Sequence, residues 1–150
     1  MRRLQDFLKN HPVIALDSSI FIYHLEDHPR YAPLTEMIFN ALEKGTNKGI
    51  TSCLTLLEIL TKPKADGLSH VARDYEYYLT TFPNLTFYEM GLEVARKASD
   101  LRASQRIKAP DAIQLATAIL YGATAFLTND RIFERVKDIN VLILDKMLKQ

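Results

Sequence analysis

Five short apolar runs, VIAL (13–16), GITSC (49–53), LTFYEM (85–90), ATAFLT (123–128) and VLIL (141–144), recur along the 150-residue chain at intervals wide enough to hold helices. Strands that are apolar throughout, and not alternating, are strands buried on both faces. Helical stretches fall between them at 19–26, 33–44, 54–61, 69–81, 92–104 and 111–121. Gly45 and Gly122 stop two of these, and Pro63 and Pro83 end two others. The order β-α-α-β-α-α-β-α-α-β-α-β predicts an α/β fold with a mostly parallel sheet of about five strands, covered by helices on both sides. No repeat, low-complexity segment or linker interrupts it, so the expectation is a single domain over 1–150. In MRRLQDFLKNHP, residues Gln5, Asp6 and Lys9 break the apolar core that a leader would need. Residues 1–12 therefore read as a short amphipathic helical extension.

Composition narrows the function classes only slightly. Nineteen Lys plus Arg against eighteen Asp plus Glu give a net charge of +1, so no global positive field marks a nucleic-acid binder, although a local basic patch is compatible with it. The single Cys53 excludes an internal disulfide, fits a reducing cytoplasm and reads as a small buried residue of the second strand. No apolar run approaches the roughly eighteen residues of a membrane span. The expectation is a cytoplasmic protein without membrane association.

In an open parallel sheet the carboxyl ends of the strands share one edge, and ligands bind in the crevice there. Asp17 ends VIALD and Asp130 follows AFLTN, which places both acids on that edge. Asp111 opens the helix leading into the Asp130 strand, and Glu58 lies about one turn into the helix after GITSC. Each acid has an ordinary reading. Asp17 and Asp130 can cap the helical turns after them, Asp111 can complement a helix dipole, and Thr55, Glu58 and Lys62 at i, i+3 and i+7 can form a solvated stripe. Taken as a set, four like charges at one edge need protons or cations to compensate them. Mg²⁺ or Mn²⁺ is the natural compensator for carboxylate oxygens. Other site chemistries lack their signatures. HLEDH spaces His24 and His28 at i, i+4 but carries Leu25 where the zinc motif needs Glu, and His11 and His70 stand alone. No nucleotide-binding glycine loop and no G-x-S-x-G is present.

ALDSSIFI with Asp17, TSCLTLLEIL with Thr55 and Glu58, APDAIQLATA with Asp111, and LTND with Thr128 and Asp130 together resemble the PIN-domain nucleases, particularly the VapC type of bacterial and archaeal toxin. The similarity runs from about Val13 to the C-terminus. The resemblance implies a three-layer α/β/α sandwich and metal-dependent endonucleolytic cleavage of RNA. It implies that Asp17, Glu58, Asp111 and Asp130 hold one or two Mg²⁺ or Mn²⁺ ions, with Thr128 as a supporting hydroxyl and Ser18 just behind it. It also implies a homodimer and, for a toxin, a small antitoxin partner. Twelve residues precede the first strand, where VapC-type proteins usually begin almost directly with it, a departure that bears on the toxin role more than on the chemistry.

Basic residues near the acids are candidates for gripping RNA: Arg102, Arg106 and Lys108 before Asp111, Lys62 and Lys64 after Glu58, Arg131 and Arg135 after Asp130. Phe21, Ile22, Tyr23, Leu25, Met37, Ile38 and Phe39 carry more apolar surface than one helical face needs, which points to these helices as the dimer face. Two alternatives belong to other classes. One is a non-catalytic PIN-like module that binds RNA or protein. The other is a haloacid-dehalogenase-type phosphatase, whose D-x-D motif would need an acid where Ser19 stands.

Overall fold

The three inner strands of the sheet bury both of their faces, and the two edge strands are half-covered. In the computed structural model, which describes residues 2–148, β1 (Val13–Leu16), β2 (Lys48–Ser52), β3 (Leu85–Tyr88), β4 (Ala125–Thr128) and β5 (Asn140–Ile143) form a sheet of order β3-β2-β1-β4-β5. Every neighbouring pair is parallel. Successive side chains point to opposite faces of a strand. Ile14, Leu16, Ala125 and Leu127 accordingly pack on one side with α1 (Arg2–Asn10), α2 (Ser18–Leu25), α3 (Ala32–Lys44), α4 (Cys53–Ala65) and α5 (Ser69–Thr80). Ala15, Ile50 and Phe126 pack on the other with α6 (Leu92–Gln105) and α7 (Ala109–Leu120). The sheet is thus the middle layer of an α/β/α sandwich, as expected.

The chain runs outward from β1 through β2 to β3, then crosses back to the far side of β1 as β4 and β5. Strand order therefore reverses between β1 and β4, and the crevice of such a sheet opens beyond the carboxyl ends of those two strands. Asp17 and Asp130 lie just past them.

Several local expectations are corrected. Cys53 is not in a strand: Ser52 accepts the Leu54 N–H at 3.1 Å as a helix cap, which makes Cys53 the half-buried first residue of α4. Burial, and then the nearby Glu89 charge, push its thiol up, away from thiolate chemistry. Nor does Pro63 end that helix, which runs on to Ala65. A proline forfeits one helical hydrogen bond, and the burial of its ring offsets that loss here. Pro110 sits in the first turn of α7, where a missing N–H costs nothing, so this helix starts at Ala109 and not at Asp111. The link between β4 and β5 is a 3₁₀ turn, Arg131–Arg135, and a second one, Leu144–Leu148, comes after β5.

The apolar residues of α2 and α3 turn inward. Phe21, Ile38 and Phe39 are buried, and Ile22, Tyr23, Leu25 and Met37 pack against the same core. α2 packs against β4, α3 and α4, and α3 against α1 and α2, so most of the apolar surface read as a dimer face is used within the chain. The large apolar side chains most open to solvent, Leu57, Tyr77, Met90 and Leu92, lie elsewhere. Among the described residues no helix is long and apolar enough to cross a membrane.

Close packing makes one position in β2 sensitive. A Cβ on Gly49 would lie 3.0 Å from a Leu42 methyl and 3.1 Å from a Leu85 methyl. Gly49→Ala is expected to destabilise the protein by about 1–3 kcal/mol through overpacking. Denaturant melts check this, and an unchanged midpoint would mean that the two leucines yield freely.

Candidate active site

Asp17 leaves β1 with extended backbone and serves as N-cap of α2. Its N–H donates to Leu127 O at 3.0 Å, continuing the β1–β4 ladder to the sheet edge. Four donors converge on its carboxylate. Oδ1 accepts the Ser18 N–H at 2.7 Å and the Ser18 hydroxyl at 3.3 Å, while Oδ2 accepts the Thr128 hydroxyl at 2.6 Å and the Ser19 hydroxyl at 3.4 Å. The Thr128 oxygen in turn accepts the Asp130 N–H at 3.1 Å, so one buried hydroxyl joins the ends of β1 and β4. Asp130 is exposed, and its Oδ1 caps the 3₁₀ turn after β4 by accepting the Ile132 N–H at 3.0 Å. For Asp17 and Asp130, capping and membership of an acidic site are not alternatives. Each does both.

Asp111 occupies the first turn of α7 and does not cap it; Lys108 holds that position without a side-chain bond. Desolvation raises the Asp111 carboxyl from 3.8 to about 6, the charges of Asp130, Asp17 and Glu58 add to the rise, and Lys108 opposes it. Glu58 is also raised, by burial and then by Asp17, against the pull of donors on Ser18 and Gln114. Burial raises Asp17 as well, with Thr128 and Ser18 pulling the other way and Asp130 adding to the rise. Four acids from distant parts of the chain therefore share one electrostatic neighbourhood. None of them joins an ion pair among the described residues.

The polar stripe reading of α4 fails at Thr55, which is fully buried while Lys62 is exposed. Thr55 meets Thr51 and Gln114, two residues that sequence reasoning missed. One signal was available: Gln114 is the single amide in the run AIQLATAIL, where only Thr117 is polar besides, one turn beyond Asp111. Where the D-x-D pattern needs an acid, Ser19 donates a hydroxyl to Asp17 instead.

The basic candidates divide. Arg102, Arg106 and Lys108 line one shallow pocket of about 470 Å³. Its shape is fixed by Arg102 Nε donating to Ile107 O at 3.3 Å and by Arg135 Nη2 donating to Arg106 O at 3.4 Å. Lys62 lines a groove of about 400 Å³ that Glu58 also borders, and Lys64 is exposed farther along α4. Arg131 pairs with Glu134 at 3.8 Å, an acid that Lys146 also engages, so its charge is partly engaged.

The donor set fits a hard divalent cation in its chemistry, since the four acids offer carboxylate oxygens alone and Lys108 opposes the charge around Asp111. As the side chains stand, no three His, Cys, Asp or Glu residues among those described are gathered as a ready metal site.

Known structures share this architecture. VapBC2 from Rickettsia felis bound to a promoter DNA fragment superposes with a TM-score of 0.67 at 16% identity, over 87% of this chain and 97% of that one. A toxin–antitoxin complex from Klebsiella pneumoniae gives 0.67 at 20% identity, over 87% and 97%. DNA-bound VapBC from Salmonella typhimurium gives 0.68 at 19%, over 86% and 96%. At such identities the likeness is one of fold. No curated protein sequence matches the chain. The sequence model of the PIN domain matches residues 14–139, a span that holds all four acids and, apart from Val13, the strands β1 to β4, and that stops just short of β5. On that match, and on the sheet order and edge acids described above, the chain belongs to the PIN domain family.

Proposed function

We propose that this protein is a Mg²⁺- or Mn²⁺-dependent endoribonuclease whose ion is held by Asp17, Glu58, Asp111 and Asp130. The observation that carries the reading is Asp111, driven to about 6 by burial and by Asp130 and Asp17 at the ends of β4 and β1 and Glu58 in the second turn of α4. A bound divalent ion would supply activated water and relief of charge on the leaving oxygen. The chain's own residues do the rest. Asp17 is held by four donors and is the best-ordered of the acids. Asp111 can hold or release a proton near neutral pH. Arg102, Arg106 and Lys108 attract phosphates on one side of the acids, and Lys62 does so beside Glu58. RNA as the substrate rests on the family resemblance, since no side chain here is seen to read a 2′-hydroxyl. The similar structures are toxin–antitoxin complexes, and a small antitoxin is proposed as a partner on that basis, with a second copy of the chain proposed from the family resemblance.

The spread of the acid side chains favours one second reading, a PIN-like module that binds RNA without cutting it. Labelled RNA and DNA incubated with the protein in Mn²⁺, in Mg²⁺ and in EDTA decide between them. The nuclease reading expects RNA cleavage that EDTA abolishes; RNA retained but intact in Mn²⁺ establishes the binding module. The basic pocket makes a separate prediction. The double variant Arg102→Ala, Lys108→Ala is expected to raise KM for RNA and to flatten the salt dependence by about 0.7 per lost phosphate contact on a log–log plot. An unchanged slope would remove these residues from the RNA path.

A further inference from the structure

Beneath the acids runs a line of buried polar side chains that neither the caps nor the charges require. Gln114 is 4% exposed, Thr51 2% and Thr55 0%, in surroundings that are otherwise apolar. Gln114 Nε2 donates to Thr55 Oγ1 at 2.8 Å, Thr55 and Thr51 hydroxyls meet at 2.7 Å, and Thr51 Oγ1 donates to Leu16 O at 2.9 Å. A hydroxyl has one proton to give. Thr51 gives its own to the Leu16 carbonyl, so it must accept from Thr55, and Thr55 must accept from Gln114. Every donor therefore points the same way, from α7 through α4 and β2 to β1. This fixes the Gln114 amide: a flipped amide would set its carbonyl oxygen against the Thr55 oxygen with no proton between them. Reversing the whole line is forbidden, because the Leu16 carbonyl can only accept.

The two ends of the line are what matter. At one end, the peptide joining Leu16 to Asp17 is clamped from both neighbouring strands, its carbonyl by Thr51 of β2 and its N–H by Leu127 O of β4. At the other, Gln114 lies close to Glu58 and pulls its carboxyl down against the effect of burial. Three buried polar groups cost desolvation that valines and a leucine of similar size would avoid, and they are tolerable only as a fully paired set.

We infer that Gln114 is a positioning residue, setting Glu58 and, through Thr55 and Thr51, the Asp17 peptide in register with each other across four elements of the fold. This rests on the nuclease reading above and adds to it a residue that touches neither substrate nor ion.

Gln114→Met keeps the volume and removes both donors. It is expected to lower kcat about ten- to a hundredfold and to weaken Mn²⁺ binding in calorimetry by a similar factor, the range seen when groups behind metal ligands are lost. KM for RNA should hold, because the basic rim is untouched. Thr55→Val breaks the line in its middle and is expected to match Gln114→Met, whereas Thr55→Ser keeps the hydroxyl and should restore most of the wild-type kcat and Mn²⁺ affinity. A merely structural role would instead lower the melting temperature and leave kcat and Mn²⁺ affinity alone, and that result overturns the inference. If Gln114→Met behaves like the wild type while the wild type cleaves RNA, the inference falls and the nuclease reading stands. If the wild type fails to cleave, the nuclease reading falls, and Mn²⁺ affinity in wild type against Gln114→Met still decides the positioning role. A wild type that binds no Mn²⁺ overturns both.

Discussion

Asp17→Asn is expected to slow Mn²⁺-dependent RNA cleavage by more than about a hundredfold, beyond what losing a group behind a metal ligand costs, in a protein that still folds. The Asp17 carboxylate accepts from Ser18 on one oxygen and from Thr128 and Ser19 on the other. An asparagine keeps one acceptor and turns an NH₂ towards the remaining donors. The hydroxyls of Thr128 and Ser19 can rotate to accept, but the backbone N–H of Ser18 cannot, so the amide nitrogen settles on the Thr128 side. The helix cap survives in that arrangement. One of four mutually repelling charges is gone, which offsets the weakened bonding, and the melting temperature should stay near that of the wild type. Single-turnover cleavage and thermal melts on the same sample check both halves. Wild-type cleavage by the variant would place the chemistry elsewhere, and a large fall in melting temperature would make Asp17 chiefly a cap.

Without metal at pH 7, Asp111→Asn is expected to melt above the wild type, and the advantage should vanish in acid. The Asp111 carboxyl is raised from 3.8 to about 6 in the folded protein. The folded state thus binds this proton more tightly than the unfolded state does. The stability it contributes is complete below about pH 4 and is lost as the pH rises through about 6. A gap of about two units corresponds to roughly 3 kcal/mol, which solvent screening of this half-exposed group reduces to about 1 kcal/mol. For a chain of this size that is about 2–4 °C in melting temperature. Mn²⁺ should act in the opposite sense on the two proteins' difference. At a hundredfold excess over its dissociation constant it stabilises the wild type by about 2.7 kcal/mol, and the variant, having lost a ligand charge, by less. Melts from pH 4 to 8, with and without Mn²⁺, test this. An equal response to Mn²⁺ would leave Asp111 an ordinary first-turn acid.

The sheet was legible because parallel strands buried on both faces leave uninterrupted apolar runs, and five such runs became five strands. The edge position of Asp17 and Asp130 came from that alone, since a residue just past a strand's end has nowhere else to be. What stayed hidden depended on tertiary context. Nothing local distinguishes Cys53 as a last strand residue from Cys53 as a first helical one; the Ser52 cap decides it. A buried ring let the helix pass through Pro63. The apolar excess of α2 and α3 looked like an interface because the sequence does not reveal how many neighbours a helix has: α2 meets β4, α3 and α4, and α3 meets α1 as well as α2. Thr55 read as solvated because its helical spacing matched Glu58 and Lys62, whereas its burial is set by Thr51 and Gln114, which lie on other elements.

The order in which the strands are laid down has a consequence for when the molecule becomes active. Of these five strands β1 is made first, yet it sits in the middle of the sheet and waits for β4, and the Asp17–Thr128 bond spans 111 residues. Until residue 128 has been synthesised, a nascent chain can pair β1, β2 and β3 but has neither the Thr128 hydroxyl nor the Asp130 charge beside Asp17. Long-range parallel pairing of this kind is also slow to form. A nuclease with this topology would stay inert beside the messenger that encodes it until the stretch through Asp130 has been made. Stalled chains released at residue 120 should be silent in the cleavage assay, while chains carried through residue 148 should be active, and cleavage by the shorter species would refute this timing.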